Sequence, residues 1–350
     1  MIGKNSVKII GLTLVCLGFI LFWPSLILAA PATYYVDVVN GNDSNTGTQA
    51  APLKTIQKAI GIASAGDRVI VKHGDYRNQG RIIITKSGNA TAGNIVFEAE
   101  GQVITKGFSV FNKNTWQKID YITIKGFDVT DTISDLYDGV GIFVYGSNNI
   151  IENNHVYNTQ RQGIYIYADN YDTRNNLVKN NLIENTGLDG DQLDAGIKVH
   201  GQNQTVESNE LKNINVKTIL DFYLAKNSII KNNQLHNNAG CIAALALWSA
   251  NSNTLDNNRF NDNNCYHGIL LTESSNNIIR NNEVANTFHS DTFQGSGIVV
   301  YNQSNNNLVQ NNKSYASSHV GFVVFSADNN QLINNQSYQN GGAEIGRAHV

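Results

Sequence analysis

An asparagine-rich unit of twelve residues recurs eight times, and this repeat constrains the fold more than any other feature of the chain. The units begin at residues 148, 175, 203, 227, 252, 276, 306 and 329, so the period varies between 23 and 30 residues. The seventh position is asparagine every time: Asn154, Asn181, Asn209, Asn233, Asn258, Asn282, Asn312 and Asn335. A period in the twenties that tolerates insertions is typical of a solenoid with one coil per repeat.

The residues around these asparagines favour strands over helices. The apolar segments are short and rich in β-branched residues and asparagine, which disfavour helix interiors. In a parallel β-helix each turn lies about 4.8 Å above the same turn of the next coil, so identical side chains stack. Asparagine tolerates an unusual turn backbone, and its amide both donates and accepts hydrogen bonds. The sequence therefore predicts an all-β parallel β-helix whose stacked asparagine column, from Asn154 to Asn335, is scaffold.

A second strand precedes each unit and usually opens with Gly-Ile. These Gly-Ile strands read GIFVYG at 141, GIYIYA at 163, GIKVHG at 196, GILLTE at 268, GIVVYN at 297 and GFVVFS at 321. Alternation with a period of two places Ile, Val and Leu inside the helix. The residues between them must face outward.

An amphipathic segment upstream is predicted to close one end of the solenoid. Pro52 lies near a helix start, and Leu53, Ile56, Ile60 and Ala63 follow at helical spacing. A helix from Leu53 to Ser64 would cover exposed strand edges and core at the open end.

The two ends of the chain do not follow the repeat pattern. Residues 1–32 resemble a signal peptide cleaved after Ala32, and an uncleaved membrane anchor is the alternative. The last seven residues, 344–350, resemble a translated sequencing adapter and are excluded from fold reasoning. We therefore expect a cap region over 33–93, coils over 94–343 and a secreted or cell-surface location. A natural C-terminus would lie beyond 343.

The composition narrows the possible partners. Hydrophobic residues make up 41% of the chain and charged residues 15%, which fits a folded domain, and we expect a monomer. A formal charge of −3 provides no basic field for a phosphate backbone. Nucleic acid is therefore a poor candidate partner.

The opening of the predicted cap carries a family resemblance. The segment YYVDVVNGNDSNTGTQAAPLKTIQKAIGIASAGDRVIVKHGDYR, followed by asparagine-rich coils, resembles secreted right-handed β-helix proteins of the pectate-lyase-like superfamily. The resemblance spans residues 33–343 and includes alginate and chondroitin lyase relatives. It implies a right-handed helix of about ten coils that acts on or binds an acidic polysaccharide. The same fold hosts epimerases, hydrolases and adhesins, so it does not fix the activity.

Members of this superfamily often bind sugars on the outward face of the sheet that the Gly-Ile strands would form. One outward column of this sheet is Tyr145, Tyr167, His200, Tyr223, Trp248, Thr272, Tyr301 and Phe325, and the position of Tyr223 depends on a one-residue gap. Six of the eight are aromatic, and aromatic faces can stack on sugar rings. Tyr145, Tyr167, Tyr223, Trp248 and Tyr301 are the candidate substrate-binding residues. The alternative is cross-strand packing that stabilises the sheet.

Charged residues concentrate at one end of that column. The loops contribute Asp135, Asp138, Arg161, Asp189, Asp191 and Asp194, and the strands add Lys198, His200 and Asp221. A lyase acting on uronic acids must neutralise a carboxylate and remove the proton α to it. Lys198 is the first candidate base, by resemblance to lyases that use lysine, with His200 second and Arg161 as a supporting cation.

Clustered aspartates suggest a metal. Asp189, Asp191, Asp194 and Asp221 offer the hard oxygen ligands of Ca²⁺, which would bridge to the substrate carboxylate and lower the pKa of Lys198. The alternatives are ordinary Asp-Gly turns, and a glycosidase that uses Asp194 and Asp221 as its carboxyl pair. A non-catalytic rod that binds polysaccharide would keep the aromatic column and lack the chemistry.

Two cysteines remain outside the predicted leader. Cys241 and Cys265 lie 24 residues apart, and the units at 252 and 276 share that spacing. The pair should therefore stack on adjacent coils. A disulfide and a pair of buried thiols are both compatible with this placement.

Overall fold

The chain folds as a parallel β-helix built from short strands. The computed structural model describes residues 30–113, 115–191, 194–289, 295–342 and the backbone of 345–347. In these ranges the strands stack in three columns around one core, and every strand pair but one is parallel. This confirms the predicted fold class of about ten coils.

Most coils contribute one strand to each column in turn, and Ile95–Thr105 pairs with strands of both the second and the third column. The Gly-Ile sheet contains Ile82–Ile84, Phe108–Asn112, Ile142–Tyr145, Ile164–Tyr167, Ala195–Gln202, Thr218–Lys226, Ala239–Trp248, Asn264–Thr272, Ser296–Tyr301, Phe322–Phe325 and Ile345–Arg347. The second column contains Thr33–Val36, Arg68–Asp75, Ile95–Thr105, Ile122–Lys125, Ile150–Glu152, Leu177–Lys179, Thr205–Glu207, Ile229–Lys231, Thr254–Asp256, Ile278–Arg280, Leu308–Gln310 and Gln331–Ile333. The third column contains Asp128–Val129, His155–Thr159, Leu182–Thr186, Glu210–Lys212, Gln234–His236, Arg259–Asn261, Glu283–Ala285, Lys313–Tyr315 and Gln336–Tyr338. One further strand, Gln117–Lys118, pairs antiparallel with Phe108–Asn112.

The glycine of the Gly-Ile pair is explained by close packing between the columns. A Cβ atom on Gly163 would approach Cγ2 of Ile183 to 2.6 Å and the carbonyl oxygen of Gly196 to 2.7 Å. The next residue, Ile164, is fully buried, as alternation predicts. Glycine therefore lets the Gly-Ile sheet approach the third column closely.

The asparagine column is a continuous hydrogen-bonded ladder. The side-chain oxygen of Asn258 accepts from the backbone N–H and the amide of Asn233, both at 3.0 Å. The amide of Asn258 donates to Oδ1 of Asn282 at 3.0 Å and to the carbonyl of Ile230 at 2.9 Å. All four hydrogen-bonding positions of this buried side chain are used. The scaffold role predicted for the column is confirmed.

Two adjacent asparagines divide the two roles that the sequence analysis assigned to a single residue, namely the turn backbone and the ladder hydrogen bonds. The residue before Asn258, Asn257, holds the left-handed backbone at φ 54°, whereas the buried ladder residue does not. The same division separates Asn281 from Asn282 in the next coil. The Asn-Asn pairs therefore combine a turn residue with a ladder residue.

A short helix caps the first coils. It runs from Ile56 to Ile62, with Thr55 as its N-cap accepting from the N–H of Lys58. The predicted start at Leu53 is wrong, because Leu53 is extended and forms a parallel bridge with Val36. The helix buries Ile56 and other apolar residues against the core, in keeping with the cap role.

The termini lie mostly outside the described part of the chain. Residues 1–29 of the predicted leader, 1–32, are not among the described residues. Among those that are, no helix is long and apolar enough to cross a bilayer. Within the segment predicted to be an adapter, Ile345–Arg347 pairs in parallel with Phe322–Phe325.

Cys241 and Cys265 stack as predicted. The two residues are register partners on adjacent coils, with Cα atoms 4.5 Å apart. Both side chains are buried, and a disulfide joins their sulfur atoms. Of the two states that the sequence left open, the structure has the bridged one.

Candidate functional site

A cleft of about 610 Å³ opens on the outward face of the Gly-Ile sheet. It extends over the four strands from Ala195–Gln202 to Asn264–Thr272. The predicted residues that line it are Asp194, Lys198, His200, Asp221, Tyr223, Trp248 and Thr272. The residues that were not predicted are Lys217, Thr218, Ser249 and Glu273. Six of the charged and aromatic candidates, Asp194, Lys198, His200, Asp221, Tyr223 and Trp248, thus meet in one place.

The centre of the cleft is an ion pair between neighbouring coils. Strand register sets Lys198 opposite Asp221, and the Nζ atom lies 3.4 Å from Oδ2 of the aspartate. The exposed fractions of the two side chains are 13% and 9%. The ammonium also lies over the rings of Tyr165 and Tyr223, at 5.9 and 6.0 Å from their centroids. A buried pair of this kind holds both groups in fixed positions.

Burial changes the acidity of Asp221. Removal from water raises the pKa of this carboxyl, and the attraction of Lys198 opposes the rise. Its second oxygen, Oδ1, is buried without a hydrogen-bond partner among the described residues. The aspartate therefore has an unused acceptor at the wall of the cleft.

His200 forms a neutral part of the cleft. A register shift after Val199 turns this residue toward the rings of Tyr165, Tyr167 and Tyr223. Burial, together with the charge of Lys198, lowers the pKa of His200 to about 3. The imidazole is thus uncharged near neutral pH. Its Nε2 atom lies 3.4 Å from the hydroxyl of Tyr165.

The acidic loop beside the cleft is organised by an arginine. The guanidinium of Arg161 forms ion pairs with Asp191 and, at 3.1 Å, with Oδ1 of Asp194, and Asp189 lies 3.8 Å away. Burial and the neighbouring Asp189 raise the pKa of Asp194 to about 7. Arg161 itself does not line the cleft. Its described contacts are those of a residue that holds the loop in place.

Two more acidic residues predicted at this end have local partners. Asp138 forms ion pairs with Arg81 at 3.5 Å and Lys113 at 3.2 Å. Asp135 accepts from the N–H groups of Tyr137 and Asp138, which lowers its pKa. Neither aspartate lines the cleft.

The predicted calcium ligands do not fit a metal site in this arrangement. Asp189, Asp191 and Asp194 converge on Arg161, and Asp221 pairs with Lys198. Among the described residues, no group of three or more His, Cys, Asp or Glu side chains is placed to hold an ion. Each of these four carboxylates already lies beside one of two protein cations, Arg161 and Lys198. The spacing of the aspartates gave no sign that Arg161, one coil earlier, reaches across to them.

The aromatic column divides into separate groups. Tyr145 is only 6% exposed, and its hydroxyl donates to Asp169 at 2.9 Å. Tyr167 donates to the same carboxylate at 2.6 Å, and the ring of Trp116 lies against both tyrosines. This arrangement resembles the packing alternative. A loop that covers Tyr145 could not be foreseen from strand periodicity.

The other aromatic residues lie farther along the axis. Tyr223 and Trp248 are register partners and line the cleft. Beyond them, Tyr301 stacks on Phe325 with ring centroids 5.7 Å apart and planes at 7°, and neither lines the cleft. Two of the five candidate substrate-binding residues therefore belong to the cleft.

Lys217 is one of the four cleft residues that the sequence analysis did not predict. It directly precedes the strand Thr218–Lys226, which lacks the Gly-Ile opening. Because Thr218 is the register partner of Ala195, Lys217 falls next to Asp194. Alignment of the strands Ala195–Gln202 and Thr218–Lys226 from their N-terminal ends would have revealed the position of Lys217. Lys217 forms no ion pair with the residues that the structure describes.

Two protein-family regions together match nearly the whole solenoid. The Pel9A-like right-handed β-helix region matches residues 34–187, and the general right-handed β-helix region matches residues 191–337. Among curated proteins, pectate lyase PEL9 of Emericella nidulans is 36% identical over 77 residues. That match covers 21% of this chain and 19% of the fungal enzyme.

Solved structures share the fold at low sequence identity. A complex of XylC with xylose has a TM-score of 0.61 at 15% identity and covers 88% of this chain and 71% of its own. The adhesin PfbA of Streptococcus pneumoniae scores 0.56 at 12% identity, covering 80% and 86%. Pectate lyase Pel9A scores 0.55 at 20% identity, covering 89% and 80%. The chain is a right-handed parallel β-helix protein, with a Pel9A-like region over residues 34–187 and a second right-handed β-helix region over residues 191–337.

Proposed function

We propose that this protein is a secreted polysaccharide lyase that cleaves a uronic-acid polysaccharide by β-elimination. The observation that carries the proposal is the buried Lys198–Asp221 pair at the centre of an open cleft with aromatic walls. The lyases among its fold relatives support the reaction class. The cleft lies on a long sheet face, which suits an extended chain substrate.

The reaction needs a base beside a recognised carboxylate. In the proposed step, the neutral amine of Lys198 takes the proton from the sugar carbon α to the carboxylate. The electrons of that C–H bond form a double bond to the neighbouring carbon, and the bond from that carbon to the glycosidic oxygen breaks. The departing oxygen then takes up a proton from solvent, and the Lys198 ammonium returns the abstracted proton to solvent. No water enters the products.

The neighbours of Lys198 have defined parts in this scheme. Asp221 holds the lysine in position and stabilises the positive charge that forms when the amine becomes an ammonium. Neutral His200 and the ring of Tyr223 form the adjoining surface, on which a sugar ring can lie. Lys198 must release a proton before each turnover, because an ammonium cannot act as a base.

Two alternatives have specific support. Asp194 and Asp221 line the same cleft, and burial raises the pKa of both, which is the situation of a glycosidase acid. A non-catalytic polysaccharide-binding rod would use the same cleft and the stacked pair Tyr301 and Phe325. The likeness to an adhesin shows that the fold is compatible with that role.

A substrate screen tests the proposal. Purified protein would be incubated with pectate, alginate and glycosaminoglycans while ultraviolet absorbance of the unsaturated product is followed. We expect absorbance to rise with at least one of them. Binding without any rise in absorbance or reducing ends would favour the rod, and new reducing ends without absorbance would favour a hydrolase.

A further inference from the structure

We propose that Lys217 binds the substrate carboxylate directly and does the work that the sequence assigned to calcium. The proposal rests on the uronic-acid substrate class proposed above. It begins from two observations, the charge balance of the cleft and the position of Lys217 at its edge. It makes Lys217 the residue that selects acidic over neutral sugars.

The charges around the cleft are unevenly paired. Lys198 faces Asp221, and Arg161 faces the three loop aspartates. Glu273, at the far edge, accepts hydrogen bonds from Ser249 at 3.0 Å and Asn302 at 3.2 Å. Lys217 lines the cleft and forms no contact ion pair with a carboxylate among the described residues, although its charge also acts on Asp221. An anionic ligand would complete its pairing.

The position of Lys217 suits a ligand held against Lys198. Lys217 and Asp221 belong to one stretch of chain, four residues apart, and the charge of Lys217 acts on the Asp221 carboxyl. The aromatic residues Tyr223 and Trp248 lie at the opposite ends of their strands. A sugar ring on these aromatics would point its carboxylate toward the lysine edge, with Lys198 in between.

The backbone fixes this lysine in place. Its carbonyl accepts from the N–H of Ile242 at 2.8 Å, and the next residue, Thr218, is paired on both sides, with Ala195 and Ala243. Only the flexible side chain of Lys217 needs to order on binding. Because the carboxylates expected to hold calcium already have protein cations, recognition through Lys217 needs no divalent ion.

Calorimetric binding of defined oligosaccharides tests this role through affinity, separately from the assay of elimination. The probes are trigalacturonate, trimannuronate and methyl-esterified trigalacturonate, each in EDTA and in calcium chloride. The variants are Lys217→Ala and Lys217→Arg. Lys231→Ala is the matched control, because Lys231 lies in the second column, pairs with Glu207 and is remote from the cleft.

We expect wild type to bind at least one acidic probe equally in EDTA and calcium. Lys217→Ala should weaken that binding about tenfold or more, toward the affinity of the ester, and leave ester binding unchanged. Lys217→Arg should retain most of the affinity, and Lys231→Ala all of it. Unchanged affinity in Lys217→Ala, loss of wild-type binding in EDTA, or no binding of any acidic probe would each overturn the proposal.

The test separates this inference from the proposed activity. Lys217-dependent binding without an unsaturated product would reject the lyase and leave the carboxylate site standing. Elimination at the wild-type rate in Lys217→Ala would reject the site and leave the lyase standing.

Discussion

The Nζ atom of Lys198 lies 3.4 Å from Oδ2 of Asp221, on the next coil, and both side chains are largely removed from water. Parallel register alone brings the two residues together, although 22 residues separate them in the sequence. This relationship links the scaffold to the proposed chemistry, because the stacking that builds the helix also positions the base.

Removal of the proposed base should abolish elimination without unfolding the protein. We expect Lys198→Ala to lower kcat by about 10²- to 10⁴-fold, the usual contribution of a general base. Folding should survive, because Asp221, whose pKa burial already raises, can take up a proton when its partner is lost. Initial rates and circular dichroism of this variant and Lys231→Ala provide the comparison. Full turnover in Lys198→Ala would reduce Lys198 to a structural residue.

The buried imidazole of His200 should make the free energy of unfolding depend on pH. The pKa of His200 is about 3 in the folded chain and 6.5 ordinarily, so the unfolded chain takes up the proton first as the pH falls. The contribution of His200 to the free energy of unfolding is therefore complete above pH 6.5 and declines from there toward pH 3, by roughly 1 kcal/mol per pH unit. Asp194, with a raised pKa, acts in the opposite direction and loses its contribution as the pH rises from 3.8 toward 7.

A single variant isolates the histidine effect. The unfolding free energy of wild type, measured by urea denaturation, should fall relative to that of His200→Gln as the pH falls from 7 to 5. A difference that stays constant over this interval would mean that His200 takes up its proton equally in the folded and unfolded chains, which contradicts the lowered pKa.

The two asparagines of one turn should respond differently to substitution. Asn258→Leu orphans the groups that its amide satisfies, so we expect a loss of roughly 1–3 kcal/mol in unfolding free energy. Asn257→Gly keeps the left-handed turn and should change stability by only a few tenths of a kcal/mol. Denaturant titration of both variants is the measurement. Equal losses would contradict the division of labour between the two positions.

The disulfide should be detectable chemically. Protein beginning at residue 33, unfolded without reductant, should show no free thiol, because Cys241 and Cys265 are its only cysteines and are bridged. Reduction should release two thiols per chain. Two thiols before reduction would instead indicate a stacked, reduced pair.

Stacked features of this fold were predictable, and lateral contacts were not. The asparagine ladder, the buried alternation around Ile164 and the Cys241–Cys265 pairing follow from a repeat that sets like residues one above another. Arg161 reaches the aspartate loop, and Trp116 reaches Tyr145, through side chains and loops that have no period. Sequence spacing carries no information about such contacts.

The same limit applies to the residues that line the cleft. Lys198, His200 and Asp221 were identified because they lie within the regular strand, whereas Lys217 precedes it and was missed. The loop positions placed Arg161 and the aspartates at the same end of the column, but they did not reveal that its guanidinium contacts all three loop aspartates.

Product analysis in water enriched with heavy oxygen tests the central claim most directly. Wild type and Lys198→Ala would act on the best substrate from the screen, and mass spectrometry would follow the new chain ends. The account predicts unsaturated ends without isotope uptake in wild type and loss of these products in Lys198→Ala. Heavy oxygen at the new ends, or undiminished unsaturated product from Lys198→Ala, would contradict it.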